Sequence, residues 1–307
     1  MMIKKQLLSL LILASCTTEL RFGVAETLQP AGQDQDPSAD GPFSVSVLRD
    51  AEVHRGGRPD FALDLFFPAD DTGALDESLA PYPVVVFVQG GNVARDQYEW
   101  ISARLASWGF VVAMPQYPAD LAFFGKSRTS DTVDALEALN QAGFFAGDLD
   151  LARLAVGGHS LGGVVADRAI DKDPRFSALF MFGSFPGDND GADFQGAVLS
   201  IAGGADCLTT TEKALDGISL YNAPKAYAEI AGVTHFQFTA DETKDIEDGC
   251  LSGITLDEAH AKISALTVSF LRSALYGDEQ FISTFTAPAE GVTIQATPID
   301  DLSFSQL

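Results

Sequence analysis

The sequence predicts an α/β domain with a mostly parallel central sheet, flanked by helices on both faces and lacking a large cap domain. Three observations predict it. Strand and helix patterns alternate from Pro83 onward, the order in which crossover helices join parallel strands. Strand candidates such as Pro83-Val-Val-Val-Phe-Val-Gln89 are continuous apolar runs, suited to burial on both faces. The stretch between the strand candidates at 178–183 and 197–202 is too short to hold a helical cap.

Residues 1–15 combine a positive start, Met1-Met-Ile-Lys-Lys-Gln6, with an apolar run over 7–14 that is too short to span a bilayer. Residues 16–41, rich in Gln, Asp, Pro and Gly, read as a flexible tether. The domain follows over 42–276, with a C-terminal extension over 277–307. Segments 43–48 and 61–67 alternate and read as antiparallel lead-in strands. Then come strand 83–89, helix 97–107, strand 109–114, helix 130–141, strand 153–157, helix 161–170 and strand 178–183. Strands 197–202 and 226–231 flank a helical pattern at 211–218, and an amphipathic helix covers 256–275. Internal repeats, coiled-coil heptads and Rossmann or P-loop glycine signatures are absent from the sequence.

Candidate chemistry centres on Arg153-Leu-Ala-Val-Gly-Gly-His-Ser-Leu-Gly-Gly163. An apolar strand runs into Gly158-His159-Ser160-Leu161-Gly162, and a helix follows. In this strand, tight turn and helix a G-x-S-x-G serine becomes a nucleophile. Residues two before and two after the serine must be small, because a side chain there would strike the adjoining strand or helix. The chain has four histidines. His159 lies in the turn, His54 in the N-terminal β region and His260 on the amphipathic helix. His235 occupies a loop after the 226–231 strand and is the candidate base. Asp206, after Ala197-Val-Leu-Ser-Ile-Ala202, is the candidate acid that would fix the imidazole tautomer, with Asp216 as competitor. Strand 83–89 ends in Gly90-Gly91-Asn92. Gly91 N–H, with Gly90 as alternative, and Leu161 N–H are the candidate oxyanion donors.

Ser160, Asp206 and His235 fall in the chain order of the α/β-hydrolase fold. Over about residues 60–275 the chain resembles serine esterases of the α/β-hydrolase superfamily. It is similar to the lidless branch with dienelactone-hydrolase-like, chlorophyllase-like and cutinase-like enzymes. Arg104-Leu-Ala-Ser-Trp-Gly-Phe-Val-Val112 resembles the helix and strand after the oxyanion loop there. Gly91 stands where bacterial polyester hydrolases usually carry an aromatic residue, and Leu161 where they usually carry Met. The resemblance implies a carboxylic-ester hydrolase working through an acyl-enzyme on a small-molecule or polymeric ester, without metal or organic cofactor. The alternative is a surface-binding protein that kept the fold and lost activity.

Leu13-Ala14-Ser15-Cys16 resembles a bacterial lipobox. That resemblance implies cleavage before Cys16, lipid on Cys16 and, with Thr17 following, sorting to the outer membrane. The rival is ordinary secretion with cleavage near Ala25. The membrane would then be met only through this anchor. With 43 acidic and 19 basic residues and a net charge of −24, nucleic acid and anionic membrane surfaces are disfavoured as partners. Residues 188–193 carry oxygen ligands but lack EF-hand spacing, and read as a solvated loop. Cys207 and Cys250 would either bridge the acid loop to the segment beyond His235 or remain buried free thiols. Within the loop 116–130, Tyr117, Leu121, Phe123 and Phe124 either line a binding groove or pack as core.

Overall fold

The computed structural model describes residues 18–21, 26–29, 36–55, 57–117, 126–187, 191, 193–222 and 224–296. Cys16, Leu121, Phe123, Phe124, most of 188–193 and residues 297–307 lie outside the described residues. One mixed sheet holds β1 (Thr18–Arg21), β2 (Glu26–Gln29), β3 (Ser44–Arg55), β4 (Arg58–Ala69), β5 (Tyr82–Val88), β6 (Val111–Pro115), β7 (Leu149–His159), β8 (Phe176–Phe182), β9 (Ala197–Gly203), β10 (Lys225–Ile230) and β11 (Val292–Ala296). The spatial order is β1-β3-β4-β6-β5-β7-β8-β9-β10-β11, with β2 also on β3. The stretch from β6 to β10 is parallel throughout, and the flanking pairings are antiparallel.

The apolar run of β5 follows from this position, since all of its residues are buried. Successive side chains point to opposite faces. Val85 and Phe87 join a core with Ile101 and Leu105 of α1 (Glu99–Ser107). On the other face Val84 and Val86 meet Val133 and Leu136 of α2 (Lys126–Ala142) and Ile170 of α3 (Leu161–Lys172). The helix α4 (Thr211–Ser219) adds Ala214 and Ile218 to this second face. After the short α5 (Thr243–Glu247), α6 (Leu256–Leu271) covers the first face with Ile263, Leu266 and Phe270. Each fully buried Val or Phe contributes about 1.5–3 kcal/mol, so this two-faced burial holds the central strands in place.

Three differences from the sequence reading concern the ends of the chain and of one helix. The 16–41 segment, read as a tether, contributes β1 and β2 to the sheet. Its last residues also pack on α1: Gly41 N–H donates to Ser107 Oγ at 2.8 Å, and Trp108 Nε1 donates to the Ala39 carbonyl at 3.0 Å. Within the 277–307 extension, α7 (Ser283–Thr286) precedes β11, which zips antiparallel onto β10. The amphipathic helix stops at Leu271, continues as a π-helical turn to Tyr276, and ends at Gly277 with φ 72°. Such a left-handed cap suits glycine. Tyr117 is core: it is buried against Val88 and Val165.

Chain order reverses at β5, with β6 on one side and β7 on the other. In open parallel sheets the crevice at such a switch point, beyond the carboxyl ends of the strands, is where ligands bind. The candidate residues follow those ends.

Candidate active site

Ser160 joins β7 to α3 with φ 53° and ψ −122°. A non-glycine residue held there stores about 1–3 kcal/mol of backbone strain. The strain is sustained from several sides. A side chain on Gly162 would collide with the carbonyl oxygens of Val88 and Gln89, and one on Gly158 would come within 2.7 Å of Val88 O. Ser160 N–H donates to the Phe182 carbonyl at 2.9 Å. Ser184 Oγ donates to the Ser160 carbonyl at 2.6 Å. The serine is therefore fixed at both its main-chain groups, and the residue remains half-buried. Leu161 opens α3, and first-turn N–H groups have no partner within a helix.

The β5 turn meets this elbow from the other side. A side chain on Gly91 would come within 3.1 Å of Leu161 Cδ2, so the two candidate donor residues are neighbours. Gly90 N–H is already committed, donating to the Tyr98 hydroxyl at 2.9 Å. That leaves Gly91, rather than Gly90, as the candidate second donor.

Asp206 follows β9 and His235 follows β10. The Nδ1 of His235 lies 2.8 Å from Asp206 Oδ2, with both side chains almost fully buried. A carboxylate only accepts, so Nδ1 carries the proton and Nε2 is the basic nitrogen. The other carboxylate oxygen accepts the N–H groups of Leu208 at 2.8 Å and Thr209 at 2.7 Å. Asp216 is exposed on α4. His54 pairs with Asp60 at 2.8 Å on β3. His260 stacks on Trp100 at 3.6 Å and contacts the Thr239 carbonyl at 2.9 Å, and burial lowers its pKa. Cys207 and Cys250 form a disulfide with Cα atoms 6.0 Å apart. A cleft of about 320 Å3 opens beside the β5 turn, lined by Gln89, Gln116 and Arg95 among others. Within it Arg95 pairs with Asp64 at 2.9 Å and with Asp50. Ser160 is not among its walls.

A sheet of this topology, with a strained serine after one parallel strand and a histidine–aspartate contact after two others, has a counterpart in sequence. A model of the alpha/beta hydrolase family matches residues 84–245, more than half of the chain. The chain belongs to the alpha/beta hydrolase family. No curated protein matches it.

This alpha/beta hydrolase also uses residues that sequence reasoning passed over. Asp245 on α5 is buried, and its Oδ2 accepts both Thr234 Oγ1 and Phe236 N–H at 2.7 Å. It thus clamps the residues on either side of His235. Burial pushes its carboxyl pKa up, against the pull of those hydrogen bonds. In sequence it sits in the acidic run Asp241-Glu-Thr-Lys-Asp-Ile-Glu247, which looks like a solvated face. Ser184 was equally silent, because only the fold brings it under the elbow. Among the described residues, no group of three His, Cys, Asp or Glu side chains could hold a metal ion.

Proposed function

We infer that the chain is an exported serine hydrolase of carboxylic esters, working through Ser160, His235 and Asp206. The observation that carries this reading is the 2.8 Å His235–Asp206 contact, made at the same end of the sheet as a strained serine. Ser160 Oγ attacks the ester carbonyl while His235 Nε2 takes its proton, and Asp206 stabilises the imidazolium. Gly91 and Leu161 N–H groups hold the oxyanion. The carbon–oxygen bond to the alcohol breaks, and His235 returns the proton to the departing oxygen. Water then attacks the acyl-enzyme, His235 takes its proton, and the acid leaves with Ser160 restored.

The short connection from β8 to β9 leaves no room for a helical cap, which supports an open site for aryl, lipid-like or polymeric esters. A lipid on Cys16 would hold the enzyme at the outer membrane. Cys16→Ser should then move it into the soluble exported fraction, and a mature N-terminus at Glu26 would argue for ordinary secretion. The central experiment measures turnover of p-nitrophenyl and aryl esters of graded acyl length. Wild type should hydrolyse them and Ser160→Ala should not, with an organophosphonate labelling Ser160 alone. Unchanged turnover in the alanine variant, or labelling of another serine, refutes the assignment. A protein that binds esters without turning them over would favour the non-catalytic reading.

A further inference from the structure

Tyr98 and His159 are fully buried beneath the site, and neither transfers a proton in the mechanism above. Burying polar side chains costs free energy unless their atoms find partners, so the partners indicate what the pair does. The Tyr98 hydroxyl accepts Gly90 N–H at 2.9 Å and lies 2.8 Å from His159 Nδ1. The hydroxyl thus bridges the Gly90 backbone and the His159 ring. Burial first, and the neighbouring His235 second, hold the His159 pKa well below its ordinary value. The ring is therefore neutral. It lies 4.6 Å from the His235 imidazole, centroid to centroid. His159 also stacks on Phe238, just beyond His235.

A separate measurement points to the same contact. A methyl group built on Gly90 would come within 2.8 Å of the Tyr98 hydroxyl and 2.9 Å of His159 Nδ1. These two atoms therefore press directly on the backbone that leads into Gly91.

We propose that Tyr98 and His159 are positioning residues that lock the Gly90-Gly91 turn and the His235 loop onto the serine elbow, so that oxyanion donors and base keep one geometry. This rests on the serine-hydrolase reading and deepens it. Neither side chain touches substrate; both act through the backbone of Gly90 and the His235 loop. The hydrogen bonds link Gly90 N–H, the Tyr98 hydroxyl and His159, so removing either side chain interrupts the chain.

The test uses the full chain with a p-nitrophenyl ester. Turnover is expressed per phosphonate-titrated site, so unfolded protein lowers the count and leaves the rate unaffected. Tyr98→Phe removes a single oxygen. It should lower kcat about 10–100-fold with KM within about twofold, as expected when only transition-state contacts are misplaced. Affinity for a boronic acid that mimics the tetrahedral adduct should fall by the same factor as kcat/KM. His159→Asn keeps a hydrogen-bonding group at the Nδ1 position, able to accept or donate, and should stay within about threefold of wild type, whereas His159→Phe should fall with Tyr98→Phe. Unchanged kcat in Tyr98→Phe, a loss confined to KM, or equal damage from both His159 variants overturns the proposal and leaves the serine mechanism standing. A wild type that neither hydrolyses the ester nor takes the phosphonate overturns both.

Discussion

On the β5–β7 side of the site, Ser160 and the Gly90-Gly91 turn are held by shape and by neutral hydrogen bonds. Gly158 and Gly162 let the backbones touch, and Tyr98 and His159 fill the space beneath. On the β9–β10 side, Asp206 and His235 are held by charge and by a covalent link. Asp245 clamps the histidine loop from within, and the Cys207–Cys250 disulfide ties it to the acid loop. Cys250 N–H also donates to the Asp245 carbonyl at 2.8 Å, so clamp and disulfide form one brace. Close packing has no reagent that undoes it, whereas a disulfide answers to reductant. The proposed nucleophile half should therefore hold under reducing conditions that loosen the proposed acid–base half.

The largest expected effect comes from removing the acid–base pair itself. If the proposed triad holds, His235→Ala should cut kcat by about 10^4–10^6-fold and Asp206→Asn by about 10^4-fold, the losses that serine triads show. Circular dichroism should remain native, since neither side chain builds the apolar cores. Asp216→Asn should leave turnover unchanged. If it is the more damaging aspartate change, the acid has been misassigned.

Reduction, or Cys250→Ser, comes next. The bridged residues are 43 apart in sequence, and closing such a loop stabilises by about 4 kcal/mol in the chain-entropy model. A thermal melt should shift down, and ester turnover should decline before global unfolding because Asp206 and His235 loosen first. Simultaneous loss of both signals would show that the two halves are one cooperative unit.

Asp245 sharpens the comparison further. Asp245→Ala strands the Thr234 hydroxyl and the Phe236 N–H, and should cost about 2–4 kcal/mol in denaturant unfolding. Asp245→Asn keeps an acceptor and removes a charge that burial disfavours, so its stability should lie within about 1 kcal/mol of wild type. Equal losses would mean that the charge itself, rather than the acceptor, holds the loop.

The smallest effect is one of pH, and it has opposite signs on the two sides. His159 resists protonation in the fold, so below its ordinary value of 6.5 the unfolded chain binds the extra proton. Stability then falls with pH by up to about 1.4 kcal/mol per unit from this one group. Asp245 has a raised pKa, so from that value down towards 3.8 the folded state takes up the proton first, and acid relieves its strain. Unfolding of His159→Phe between pH 7 and pH 5 should show a shallower decline than wild type. A parallel decline would place the acid sensitivity elsewhere.

Much of the central sheet was legible because buried parallel strands must be apolar on both faces, as the runs at 83–89 and 197–202 are. The elbow was legible because its steric demands fall on residues adjacent in sequence. The pairing of His235 with Asp206 could be read from chain order and strand ends. Other features had no local signature. The edge strand β11 is half exposed, so its composition resembles a loop. Asp245 is an acidic residue among acidic residues until the fold buries it. Tyr98 and His159 are 61 apart in sequence, and only the close approach of β5 and β7 gives the histidine a partner. Sequence patterns report which face a residue occupies, but seldom what a buried polar atom meets there.

The pairing of β11 with β10 has a consequence for life at high local concentration. β10 carries Ala226, Tyr227, Ala228 and Ile230 buried in one short strand. Left uncovered, such a strand would offer its row of amide and carbonyl groups as a template for any extended segment nearby. The late segment of the same molecule occupies that row first. The margin nearest His235 is thereby moved from a buried apolar strand to the half-exposed β11, a poorer template for neighbouring molecules.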